Sequence, residues 1–154
     1  MLNNKRIARE LNRVAKSLIS SEDVANTEGE YKNFTGTIDW KGSQGKVRNA
    51  TFELVDRGID WKGGTWKYGT WKRGVWKRGV WENGLWEDGT WEGGTWEEGT
   101  WWDGTWKDGI FKWGVWYGGH WYDGTWEWGN WEDGGWERGK DIRGVKHLDS
   151  PKNW

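Results

Sequence analysis

Six side chains between positions 102 and 128 belong to types that bind ligands from a protein surface. They are Trp102, Trp113, Tyr117, His120, Tyr122 and Trp128. Exposed aromatic rings at such density mark an interface with a protein, or a platform on which sugar rings stack. Four carboxylates in the same half, Asp88, Asp103, Asp108 and Asp123, recur at turn positions, where they could ligate calcium or simply shape the backbone. Catalytic chemistry finds little material. His120 and His147 are the only histidines, the chain has no cysteine, and residues 61–140 contain no serine. The glycines follow a five-residue frame, not a phosphate-binding loop. The expectation is a protein that is not an enzyme, with no catalytic residue, no metal and no cofactor.

The six rings are conspicuous because they break a frame. From Trp61 to Trp136 every fifth residue is aromatic: fifteen Trp and Phe111. A Gly follows each ring three residues on, from Gly64 to Gly139. A period of five is no helical stripe, and being odd it throws successive rings to opposite faces of an unbroken strand. The chain must therefore turn once per unit. Gly-Thr-Trp supplies a short strand, and the two following residues supply the corner, with pairs such as Asp88-Gly89 and Asp108-Gly109 as turn formers. The in-frame rings read as core, and Trp102, Trp113, Tyr117, Tyr122 and Trp128 then point outward.

Two architectures place all frame rings on one side: a solenoid with its rings inside, or a meander of short hairpins with an apolar face left uncovered. The residue after each ring bears on the choice. Four Lys (Lys62 to Lys77) precede four Glu (Glu82 to Glu97), which suggests units grouped in fours. A 20-residue coil pairs Lys62 with Glu82, and Lys67 with Glu87, with no like charges stacked. A 15-residue coil stacks Lys62 on Lys77 and Glu82 on Glu97, and a 25-residue coil, like the 20-residue one, stacks no like charges. The sequence thus predicts four sides, four coils, and a stack about 20 Å tall at roughly 4.8 Å per layer. Trp102 would lie against Tyr122. Asp103 and Asp123 would share a corner with Asn83, and Asp88 would share one with Asp108.

Gly104-Thr105-Trp106-Lys107-Asp108 resembles the unit of the pentapeptide-repeat family, with Gly for its usual Ala and Trp for its central Leu or Phe. That resemblance covers about half the chain and implies a right-handed four-sided β-helix. A weaker resemblance is to MORN repeats, hairpin units containing Gly-x-Trp-x-x-Gly, which would give a β-meander. Some pentapeptide-repeat proteins mimic DNA, but the interleaved Lys and Glu argue against that surface here.

The flanks complete the organisation. Residues 1–21 read as an amphipathic docking helix with an apolar stripe of Ile7, Leu11, Val14 and Leu18 and a basic face of Lys5, Arg6, Arg9, Arg13 and Lys16. Residues 22–33 read as a linker, 34–60 as an irregular β cap, 61–140 as the solenoid and 141–154 as a C-terminal cap or tail. The 154 residues carry 23 basic and 24 acidic side chains, a net charge of −1 that gives no pull toward nucleic acid. No stretch approaches a membrane span, and residues 1–21 lack the apolar core of a secretory signal. The basic segment also resembles leader helices of bacteriophage-encoded proteins. Together these readings favour a structural or assembly protein, in a virion or the cytoplasm, joined to a protein partner or to itself. The alternative is a carbohydrate- or receptor-binding module.

Overall fold

The computed structural model describes residues 23–154. The amphipathic segment with Ile7, Leu11, Val14 and Leu18 lies outside the described residues. The chain is an all-β solenoid in which every strand belongs to one continuous sheet. Among the described residues the only helical element is a 3-10 turn at Pro151–Asn153, and no helix is long and apolar enough to cross a membrane.

The solenoid begins with long strands and passes into short ones. β1 (Asp23–Ala25) and the start of β2 (Gly29–Trp40) occupy the stretch read as a linker. β2, β3 (Ser43–Val55) and β4 (Gly58–Trp71) form an antiparallel meander interrupted by bulges. From β5 (Gly74–Trp76) to β17 (Gly135–Trp136) each unit contributes a strand of two or three residues, and these pair in parallel. The hairpin alternative is thus excluded from Gly74 to Trp136, although the first turn of the tract, in β4, also pairs antiparallel with β3.

The ladder register corrects the expected number of sides. Thr100 pairs with both Leu85 and Val115, and Trp101 with both Trp86 and Trp116. Each turn is therefore fifteen residues and three units, not twenty and four. The cross-section has three faces. Face I carries the rings of Trp61, Trp76, Trp91, Trp106, Trp121 and Trp136. Face II carries Trp66, Trp81, Trp96, Phe111 and Trp126, and face III carries Trp71, Trp86, Trp101, Trp116 and Trp131. The stack also exceeds four layers. The face I column starts on Tyr31 and Phe52 in the meander and runs eight rings deep to Trp136.

Indole size explains why three faces suffice. Rings one turn apart stack in parallel, as Trp86 on Trp101 at 4.8 Å and 7°. Successive rings in one turn meet edge to face, as Trp101 and Trp106 at 5.8 Å and 74°. Three columns in these two preferred geometries close on one another and leave the rings from Trp61 to Trp121 fully buried. A fourth column of indoles would have to widen the interior. The arrangement has a polar cost. Trp96, Trp106 and Trp121 donate Nε1–H to the carbonyls of Trp113, Asp123 and Arg138 in the following turn. Nine other buried indoles, from Trp61 to Trp116, have no acceptor. Each orphaned donor costs about 1–3 kcal/mol, which ring burial must offset.

The frame glycines answer a requirement of the backbone. Gly104 has φ of +114°, a region L side chains rarely adopt, and a β-carbon there would sit 2.3 Å from the carbonyl oxygen of Gly89. The corner thus needs glycine twice, for its torsion and for close contact between turns.

The charge pattern misdirected the count because the meander supplies counter-ions. At fifteen residues Lys62 does stack on Lys77 and Glu82 on Glu97, yet Lys62 reaches Glu30 at 3.7 Å and Glu82 reaches Arg48 at 3.5 Å. The other steps are opposite in sign: Lys72–Glu87 at 2.9 Å, Glu92–Lys107 at 4.0 Å and Glu97–Lys112 at 3.2 Å.

Residues 141–154 close the C-terminal end. Asp141 stands one turn after Trp126, where face II would place another ring, and is nearly buried. Its carboxylate accepts hydrogen bonds from the Arg143 side chain, His147 Nε2 and the backbone N–H groups of Arg143 and Val145. The bonds from Arg143 and His147 hold its pKa far below the usual carboxylate range, against the opposing effect of burial. Trp154 stacks on His147 and meets Trp136 edge-on, ending the face I column.

Candidate functional surface

The frame leaves three outward positions per unit: the residue before the ring, the residue after it, and the corner residue next along. On face III the row after the ring reads Lys72, Glu87, Trp102, Tyr117, Glu132. Trp102 and Tyr117 stack at 4.5 Å and 16°, and each remains more than two-fifths exposed. Trp102 therefore meets Tyr117, fifteen residues on, and not Tyr122. The change follows directly from three sides instead of four.

Trp113 and Trp128 occupy the corner that leads into face III, one turn apart, both more than half exposed. Between the two aromatic rows runs the row before the ring, with Leu85, Thr100, Val115 and Asn130. Four of the six candidate residues thus share one face. Tyr122 and His120 lie together on face I, ring centroids 4.4 Å apart, where His120 Nε2 meets Glu137 at 3.1 Å. The C-terminal tail covers the end of the solenoid and leaves the outward rings open.

The charges around this aromatic group set it apart. Over the layers of Trp86, Trp101, Trp116 and Trp131, the outward rows of face III and its two corners hold Glu87, Asp88, Glu98, Asp103, Glu132 and Asp133, and no Lys or Arg. Among the described residues only Glu87 of these forms an ion pair, with Lys72 one layer earlier. Lys152 of the tail donates to the backbone carbonyl of Glu132, and Asn130 to its carboxylate. Sequence reasoning singled out the rings and, separately, Asp88, Asp103 and Glu87, but missed that these acids group beside the rings, because that grouping depends on the fifteen-residue turn.

The corner aspartates fall differently from the expectation. Asp88 and Asp103 share a corner with Asp133, while Asp108 and Asp123 share another with Arg138. Each of these five turns an Oδ1 onto the N–H of its following glycine at 2.7 or 2.8 Å, as does Asn83. At Asp123 burial raises the pKa, but the Gly124 N–H and Arg138 outweigh it and the net shift is downward. The carboxylates therefore shape the corners. Among the described residues no three His, Cys, Asp or Glu side chains group as a metal site.

A groove of about 590 Å³ lies near the C-terminal cap, lined by Asp108, Asp123, Arg138, Lys140 and His147 among others. Its central charges, Asp123 and Arg138, pair with each other at 2.9 Å. No family model matches the chain, and neither the curated proteins nor the solved structures compared with it give a match.

Proposed function

We propose that the chain is a non-enzymatic structural or assembly protein whose solenoid holds face III rigidly toward a protein partner. One observation carries the reading. The same interior lies behind all three faces, yet among the described residues only face III, from the Trp86 layer to the Trp131 layer, gathers four exposed aromatic rings with five carboxylates outside any ion pair and no Lys or Arg in its own rows. Burial of parallel indole columns makes the scaffold stiff, and exposed Trp and Tyr are the residues that dominate interface energies. The resemblance of residues 1–21 to phage leader segments places the partner, in this proposal, within a virion.

The test is co-sedimentation of the chain with assembled particles. Trp102→Ala combined with Tyr117→Ala is expected to abolish it while leaving the fold intact, and retention by that variant counts against the reading. The parallel pair Trp102–Tyr117 on a flat strand surface favours one second reading, a carbohydrate platform. Glycan-array binding lost in the same variant, without particle association, would replace the first reading with the second.

A further inference from the structure

We propose that the stacked indoles conduct: an electron taken from one buried ring is replaced ring by ring along the solenoid, and the positive vacancy leaves the chain at Trp154. The inference concerns the interior and does not draw on the assembly reading. Indole gives up an electron far more readily than phenyl, and parallel rings in contact overlap their π systems. On face I the five steps from Trp61 to Trp136 measure 4.7–5.0 Å between ring centroids, with planes within 9° of each other. On face III the four steps from Trp71 to Trp131 also measure 4.7–5.0 Å. Face II is interrupted by Phe111, between Trp96 and Trp126. Edge-to-face contacts join the columns, so a vacancy on Trp96 passes around Phe111 through Trp101 and Trp116.

Burial keeps the vacancy moving. An oxidised indole is a cation and a strong acid at Nε1, and losing that proton would trap it. The rings from Trp61 to Trp121 are wholly buried. Among the described residues their Nε1–H groups meet either no acceptor or a backbone carbonyl, which is no base. The cation also lies between the electron-rich faces of two stacked neighbours. Surface charge sets the direction. Residues 61–80 carry six cations and no acid, whereas residues 81–137 carry thirteen acids against Lys107 and Lys112. A positive vacancy is repelled from the first layers and drawn toward the later ones. Trp136 then meets Trp154 edge-on at 5.5 Å. Trp154 is two-fifths exposed, so water takes its Nε1 proton and the radical stays there. The balance is one electron to a one-electron oxidant, one proton to water and one neutral indolyl radical at Trp154.

The test places the oxidant at the far end. The chain has no cysteine, so Tyr68→Cys, an exposed site between Trp66 and Trp71, takes a single ruthenium polypyridyl label. Trp102, Trp113 and Trp128 are changed to Phe to remove competing outward rings. Flash oxidation brings the label to its trivalent state, and a nitroso spin trap bonds to the radical ring, which mass spectrometry locates. An adduct is expected at Trp154, beyond the four steps of about 4.8 Å that separate Trp71 from Trp131. Trp106→Phe plus Trp116→Phe completes, with Phe111, one full turn of phenyl rings and should cut that adduct tenfold or more. Ruthenium oxidant free in solution should mark Trp154 equally in both chains, since the cap is untouched. Phe111→Trp closes the face II column and should raise the adduct; an unchanged yield there counts against the conduit. An undiminished adduct behind the phenyl turn, or none at Trp154 in the labelled parent, overturns the inference.

Discussion

Face III and faces I and II share an interior and differ outside. Behind each stands a column of parallel rings about 5 Å apart. On the outside, faces I and II carry Glu92–Lys107 and Glu97–Lys112 steps, where one layer's charge answers the next. At the same heights face III carries Trp102 stacked on Tyr117 between Glu87 and Glu132. Folding asks only for the ring and the glycine of each unit, so the outward positions are free to vary. Two faces place a Lys one turn from a Glu in their outward rows. The third holds aromatic rings in water beside five carboxylates that form no ion pair among the described residues. In the proposed reading that arrangement is the surface offered to a partner.

The sharpest way to break the comparison is to cut on either side of one strand. Trp101→Ala opens a cavity among the rings of Trp86, Trp106 and Trp116 and should cost about 3–5 kcal/mol in chemical denaturation. Trp102→Ala, the next residue, loses only its stacking on Tyr117 at a half-exposed site and should cost about 0.5–1.5 kcal/mol. If Trp102→Ala proves as costly as Trp101→Ala, face III is structural and its functional reading is lost.

Gly104→Ala ranks second. It places a β-carbon against the Gly89 carbonyl at positive φ and should lower stability by more than about 1 kcal/mol. Gly118→Ala, on the face III corner at ordinary torsion, has its nearest contact at 3.4 Å and should be far milder. Equal effects at the two sites would show that the frame glycine is not a backbone requirement.

The cap comes next. Asp141 has a folded pKa below its unfolded one, so its contribution is complete above the ordinary carboxylate range. It is lost only as pH falls through the depressed folded value. Hydrogen exchange at residues 141–154 should therefore remain slow at pH about 4, near where free carboxylates titrate. Asp141→Asn should speed that exchange already at neutral pH. Loosening of the native cap near pH 4, matching ordinary carboxylates, would contradict the role given to Arg143 and His147.

Much of this design is legible in the residues, and the illegible part has a definite cause. The five-residue period requires a turn per unit, buries the frame rings and expels Trp102, Trp113, Tyr117, Tyr122 and Trp128, and each of these stands as expected. The number of sides is not contained in the unit, because Gly-Thr-Trp-x-x closes equally well on paper with three or four. The charges seemed to decide it. They misled because Lys62 and Glu82 find Glu30 and Arg48 in a meander whose position no local pattern reveals. Every cross-turn assignment inherited that error: Tyr122 for Tyr117 beside Trp102, the pairing of corner aspartates, and the hidden gathering of acids on face III.

The smallest expected effect is also the most direct test of the fifteen-residue turn that separates the faces. Lys112 and Glu97 meet at 3.2 Å on face II, both about two-fifths exposed. Lys112→Glu should cost only roughly 0.2–1 kcal/mol, as exposed pairs do, and more at low salt than high. Adding Glu97→Lys should restore the loss, because the pair is rebuilt in reverse. Adding Glu132→Lys instead should not, since that residue lies twenty positions away on face III beside Asn130. A double-mutant cycle at low ionic strength measures both couplings. Coupling to Glu132 without coupling to Glu97 would restore a four-sided coil, and with it would dissolve the grouping of Trp102, Tyr117 and the six acids on one face.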